Sequence, residues 1–324
     1  MQNRLDILHI ILPALLVAAS LSSCRKEPSP VPAGDTAIAF SSSVSGTKAL
    51  INDVADMTAF KVYGYYTIDG TASYTAFDGT EVTRAGALWQ YSPARYWVPD
   101  AKYTFLGFHP SDAAVTINST SLNANGQLSN PSFTYVLDND FTQQEDFMFA
   151  HSYKEDPGIV GLNFNHLLCQ VTIDVYTQSN TQIIKLNKFT LSGMSTSGRY
   201  TAFSNSSNGS WSAFSGYASF EETLGIDVTD EKASIINSGN GYLMIPRSYD
   251  SAALKLSMDC SISTDGGETY KGINIQKSFP ATEWQPGKKY HYSAEITVDY
   301  NIQFSEPTIT PWGSEQTTGS VIIK

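Results

Sequence analysis

Ile296-Thr297-Val298-Asp299-Tyr300-Asn301-Ile302-Gln303-Phe304 alternates apolar and polar residues over nine positions. A period of two puts Ile296, Val298, Tyr300, Ile302 and Phe304 on one face, so the run predicts a β-strand with one dry side. Working outward, the same alternation returns at Ile38, Phe40, Ser42 and Val44, interleaved with Ala39, Ser41 and Ser43. It returns again at Phe60, Val62, Gly64 and Tyr66, interleaved with Lys61, Tyr63 and Tyr65. Residues 103–108, 162–164, 171–176 and 254–260 are further apolar runs. Turn formers separate them: Asp69-Gly70, Asp78-Gly79, Asn125-Gly126, Asn208-Gly209, Asp265-Gly266-Gly267 and Pro286-Gly287. Helical periodicity is scarce, with room for one short turn over 143–149. Many strands with frequent turns predict an all-β protein built of sandwiches. Lys154-Glu155-Asp156-Pro157-Gly158 is polar and breaks structure, so it is expected to divide an N-terminal sandwich, 38–157, from a C-terminal one, 158–324.

The chain starts differently. Arg4 supplies a positive region, weakened by Asp6, and residues 7–21 are almost all apolar. That run has the length of a signal sequence, is short for a bilayer span of roughly 20 residues, and is interrupted by Pro13. Leu21-Ser22-Ser23-Cys24 follows and resembles a lipobox. The expectation is a signal peptide over 1–23, lipidation at Cys24, and a Pro-rich tether over 24–37. Two or more acyl chains, at roughly 0.8 kcal/mol per buried methylene, hold a protein stably at a membrane.

The 324 residues carry 20 Lys and Arg against 31 Asp and Glu, a formal charge of −11. Residues 1–23 hold one Arg and one Asp, so their removal leaves −11. This charge argues against a nucleic-acid partner. Apart from Cys24 the cysteines are Cys169 and Cys260, both in apolar strand-like runs. They read as buried free thiols; a disulfide between them is allowed outside the cytoplasm and is left open.

Nothing in the sequence composes a catalytic, metal or cofactor site. His9 lies in the signal, and His109, His151, His166 and His291 have no paired-ligand spacing. No nucleophile elbow or phosphate loop occurs. Asp138-Asn139-Asp140 lacks the glycine and closing glutamate of a calcium loop and reads as a solvated loop. Glu145 and Asp146 are adjacent acids without a discernible partner. Trp97, Trp211 and Trp284 are assigned to cores.

Four segments carry a resemblance. They are Tyr96-Trp97-Val98-Pro99 with Tyr103-Thr104-Phe105-Leu106-Gly107-Phe108-His109-Pro110; Asp146-Phe147-Met148-Phe149-Ala150 with Val160-Gly161-Leu162-Asn163-Phe164-Asn165-His166-Leu167-Leu168; Trp284-Gln285-Pro286-Gly287-Lys288-Lys289-Tyr290-His291-Tyr292; and Ile309-Thr310-Pro311-Trp312. In this order, after a lipobox, they resemble the fimbrillin-like family, the type V pilin lipoproteins of Bacteroides-like bacteria. The resemblance implies two tandem transthyretin-like β-sandwich domains and a non-enzymatic, surface-exposed subunit of fimbriae at the outer membrane. It implies adhesion, other fimbrial subunits as partners, and surface ligands on host or bacterial cells. It also implies assembly by strand exchange: a trypsin-like protease cuts after a basic residue, an N-terminal strand leaves, and another subunit's strand fills the groove.

Mapped onto this chain, Ile38, Phe40 and Val44 belong to the removable strand. Lys48 and Ala49 flank the cut, with Lys where the family usually has Arg, so a protease that accepts Lys is needed. Val321, Ile322 and Ile323 are the candidate donor strand, or else an edge strand of their own domain. The alternative function is a glycan-binding surface lipoprotein that never polymerises.

Overall fold

Apolar–polar alternation is carried into strands almost throughout. The computed structural model describes residues 36–44, 57–86, 88–119, 122–204, 206–236, 241–250, 253–280 and 282–312. Cys24, Lys48, Ala49, Val321, Ile322 and Ile323 lie outside the described residues. The first strands are β1 (Ala39–Val44), β2 (Ala59–Thr67), β3 (Tyr74–Ala85), β4 (Leu88–Gln90), β5 (Lys102–His109), β6 (Val115–Ile117), β7 (Ser132–Val136), β8 (Met148–Lys154) and β9 (Ile159–His166). There follow β10 (Cys169–Tyr176), β11 (Ile183–Ala202), β12 (Gly209–Val228), β13 (Ala233–Ser234), β14 (Tyr242–Met244), β15 (Ser248–Tyr249) and β16 (Lys255–Ser263). The last are β17 (Lys271–Ser278), β18 (Thr282–Glu283), β19 (Lys288–Ile296), β20 (Ile302–Phe304) and β21 (Thr308–Pro311). Among the described residues the helical element is a 3-10 turn, Phe141–Gln143, capped by Asp140, whose Oδ1 accepts from the Thr142 N–H at 2.9 Å. It ends where the short turn over 143–149 is expected to begin; residues 144–147 belong to no helix or strand, and β8 takes Met148 and Phe149.

The first sheet runs β1-β9-β8-β5-β2-β3-β4 and curls until β4 comes against β1. Its inner face holds Phe60, Val62, Phe77, Tyr103, Phe105, Val160, Leu162 and Phe164, all essentially excluded from solvent. A second core lies between the β13-β10-β19-β20 sheet and the β17-β16-β11 sheet, with β12 beside β11. A third core joins the two. Leu106, Phe108 and Phe149, on the outer face of the first sheet, meet Phe133 and Tyr135 of β7 and Tyr200 of β11. Side chains buried on both faces explain why 103–108 reads as an apolar run whose one polar side chain is Thr104.

Three expectations need correction. The nine-residue run is not one strand. β19 ends at Ile296 and β20 begins at Ile302, with a turn between them closed by Thr297 N–H donating to the Asn301 carbonyl at 3.0 Å. Tyr300 takes a φ of 60° there, and Val298 is 56% exposed. Ile296 and Ile302 lie directly opposite each other, and residues opposed in an antiparallel pair share a face. The alternation therefore stays in phase across the turn and imitates a continuous strand. Second, Asp78-Gly79 is not a connection but a bulge inside β3. Val62 opposes Thr80 and Gly64 opposes Phe77, leaving two residues of β3 against Tyr63, with Gly79 at φ 65°. Third, Lys154-Glu155-Asp156-Pro157-Gly158 does not divide two units: Lys154 ends β8, and residues 155–158 connect it to β9, which pairs with it in the same sheet. The chain crosses to the β11 sheet for β6 and β7, returns for β8 and β9, and does not come back to the first sheet after His166.

Cys169 and Cys260 are free, buried thiols in the second core. Burial pushes the Cys169 thiol well above its usual range, and with the Asp259 charge raises that of Cys260 to about 12.

Candidate assembly site: the edge strand and its groove

β1 is six residues long and forms the edge of the first sheet, parallel to β9, a strand more than a hundred residues later. Phe40 lies opposite Val160, Ser42 opposite Leu162 and Val44 opposite Phe164. Those three β9 residues are fully buried. The side chains of β1 alternate accordingly: Ile38 and Phe40 are buried, Ser42 and Val44 half-buried, Ala39, Ser41 and Ser43 turned outward. Ser43 donates its hydroxyl to Asn163 Oδ1 at 3.0 Å on the outer face.

Phe40 is the anchor. Its ring meets Phe60 (6.0 Å between centroids), Phe77 (5.4 Å), Tyr91 (5.7 Å) and Phe105 (5.9 Å), every pair edge-to-face. That geometry sets ring edges against ring faces, worth about 0.5–1.5 kcal/mol per pair beyond burial.

The two ends of β1 are held differently. Ahead of it, Ala37 bridges Tyr96, Ile38 N–H donates to the Arg95 carbonyl at 2.8 Å, and Trp97 N–H donates to the Thr36 carbonyl at 3.1 Å. Tyr91 donates its hydroxyl to the Ile38 carbonyl at 2.7 Å. The start of the strand is thus bonded on two sides, by β9 and by the 91–97 segment. Among the described residues the Val44 end is hydrogen-bonded to β9 alone, through the ladder and the Ser43–Asn163 bond.

Sequence reading found Ile38, Phe40 and Val44 but missed Tyr91 and Arg95, which form the second wall. They lie in Tyr91-Ser92-Pro93-Ala94-Arg95, where no periodicity marks them. In the sequence Ser42 is one alternating position among others. In the structure its hydroxyl is buried and has no hydrogen-bond partner.

The histidines are held separately. His109 Nδ1 is 2.7 Å from the Ala59 carbonyl, and His291 Nε2 is 3.0 Å from Asp174 Oδ2. His166 Nδ1 is 2.7 Å from Asp146 Oδ2, both side chains buried, and the imidazole stacks on Trp312 with centroids 5.1 Å apart. Among the described residues no three His, Cys, Asp or Glu side chains meet as a metal site would require.

These observations define an all-β protein whose most distinctive surface is backbone: a short edge strand seated in an aromatic groove. Residues 47–312 match the Fimbrillin-like family, and the chain belongs to it. A crystal structure of a fimbrial protein from Bacteroides vulgatus shares the fold, with TM-score 0.63, 17% identity, and coverage of 85% of this chain and 99% of that one. A candidate cell adhesion protein from Parabacteroides distasonis gives 0.49, 11%, 86% and 96%. A fimbrial assembly protein from the same species gives 0.41, 15%, 85% and 100%. No curated protein matches.

Proposed function

We propose that this chain is a structural subunit of cell-surface fimbriae, assembled when β1 is exchanged for a strand of another subunit. The observation that carries the reading is the seating of β1. It joins the sheet by backbone pairing with β9 and fills an aromatic groove with alternate side chains. Strand addition to an open edge is a general mode of recognition: main-chain bonds supply affinity and alternate pockets supply selectivity. Each large apolar side chain seated in such a groove contributes roughly 1.5–3 kcal/mol. Membership in the Fimbrillin-like family and the fold shared with a fimbrial protein support the same reading.

A finer scheme extends this reading. The chain is exported on residues 1–23, lipidated at Cys24 and carried to the outer membrane surface. A trypsin-like protease cuts between Lys48 and Ala49, and Val321, Ile322 and Ile323 enter a neighbour's groove. The two halves form tandem transthyretin-like sandwiches. The test is limited trypsin treatment of the chain expressed from residue 25. Expected are one early cut after Lys48, release of the N-terminal fragment, and growth of polymers. Persistent monomers after that cut and release would defeat the exchange reading.

A further inference from the structure

Ser42 is the odd member of an otherwise apolar inner face. The inward residues of β9 are Val160, Leu162 and Phe164, and opposite them β1 presents Phe40, Ser42 and Val44. Ser42 faces Leu162, between two apolar neighbours on its own strand. Its hydroxyl is shielded from water and bonds to nothing. The outward serine beside it, Ser43, finds Asn163. A buried hydroxyl with no partner loses its bonds to water without replacing them, which weakens the occupant by about five- to a hundredfold in equilibrium constant.

We propose that Ser42 makes β1 a weak occupant of its own groove, and that the groove selects an incoming strand with an aliphatic side chain at this register. The inference rests on the exchange reading and deepens it by naming the partner: an extended segment with apolar residues at four alternate positions, matching Ile38, Phe40, Ser42 and Val44. The weakness is tolerated while β1 is covalently joined to the fold. A tethered segment rebinds at a high effective concentration, so a modest intrinsic affinity keeps the groove filled. Cutting the chain after β1 removes that advantage. The serine-bearing strand then leaves, and a strand without the polar misfit holds the site it vacates.

Two measurements test this. The first needs no cutting: urea unfolding of the full chain with Ser42→Ala and Ser42→Val. Removing the orphaned hydroxyl is expected to raise the midpoint in at least the alanine variant, which adds no bulk; a midpoint lowered in both would overturn the proposal. The second uses the chain after cleavage at Lys48, with labelled peptides of residues 36–46 carrying Ser42 or Ser42→Val. The valine peptide is expected to bind about tenfold more tightly or more. Equal binding overturns the selectivity and leaves the exchange reading standing. If neither peptide enters after the resident fragment has gone, the exchange reading fails and takes this inference with it.

Discussion

His151 shows how one side chain ties the first sheet to the long hairpin beyond it. Its backbone N–H donates to Ser207 Oγ at 2.9 Å, and Nδ1 lies 3.3 Å from the Ser206 carbonyl. A carbonyl only accepts, so Nδ1 carries the proton and Nε2, which is buried without a partner, stays bare. Burial lowers the pKa of His151 from 6.5, partly offset by the Ser206 bond. The unfolded chain therefore binds the proton more readily than the folded one. The stabilisation is fully present above the unfolded pKa and is lost as pH falls below about 6.5. Urea midpoints are expected to drop between pH 7 and pH 5, and His151→Gln should make that drop smaller; an unchanged slope would remove His151 from the account. Sequence alone singled out His151 only as a histidine without ligand spacing. Its partners lie some 55 residues downstream, and nothing local points to them.

At the scale of elements, β11 and β12 stand apart. Each has twenty residues, so the hairpin spans about 65 Å, long enough to serve both halves of the molecule. β11 pairs with β16 through residues 183–192 and with β7 through residues 197–201. Its connection to β12 brings the backbones very close at Gly209, where an added Cβ would collide with the Thr201 carbonyl oxygen. Gly209→Val is expected to destabilise the chain by roughly 1–3 kcal/mol, the cost typical of overpacking, and hydrogen exchange should rise first in β7 and the adjoining end of β11. Uniform exchange across both sheets would contradict this. The Asn208-Gly209 pair advertised the turn in the sequence, but the length of the strands did not show. Three register shifts along the hairpin disturb the period of two, and one long bulged strand then reads as several short ones. The run from Ile296 to Phe304 misled in the opposite sense, because its turn kept the phase.

Across the whole molecule, the joint is a core in its own right. Tyr135 and Phe147 stack with centroids 3.8 Å apart, and Trp211 donates its indole N–H to the Leu167 carbonyl at 2.9 Å. Phe133, Phe149 and Tyr200 are buried with them. An interface this apolar couples its two sides, so calorimetry of the intact chain is expected to give one cooperative transition. Phe147→Ala, which opens a cavity worth about 3–5 kcal/mol, should separate or broaden it. Two transitions in the unaltered chain would show that the joint does not couple them. All-β character and most core residues were legible because alternation is local. The joint was not, since β7 and β9 carry ordinary strand patterns and only their pairings reveal which sheet each one serves.

The unequal fastening of β1 has a mechanical consequence. Tension applied to the chain ahead of Thr36 and directed along the strand acts in shear, with every rung of the β9 ladder and the bonds to the 91–97 segment sharing the load. Tension applied beyond Val44 and directed away from the sheet peels the ladder one rung at a time from its singly bonded end. The seated strand thus behaves as a one-way latch: it resists a pull from upstream and yields to one from downstream.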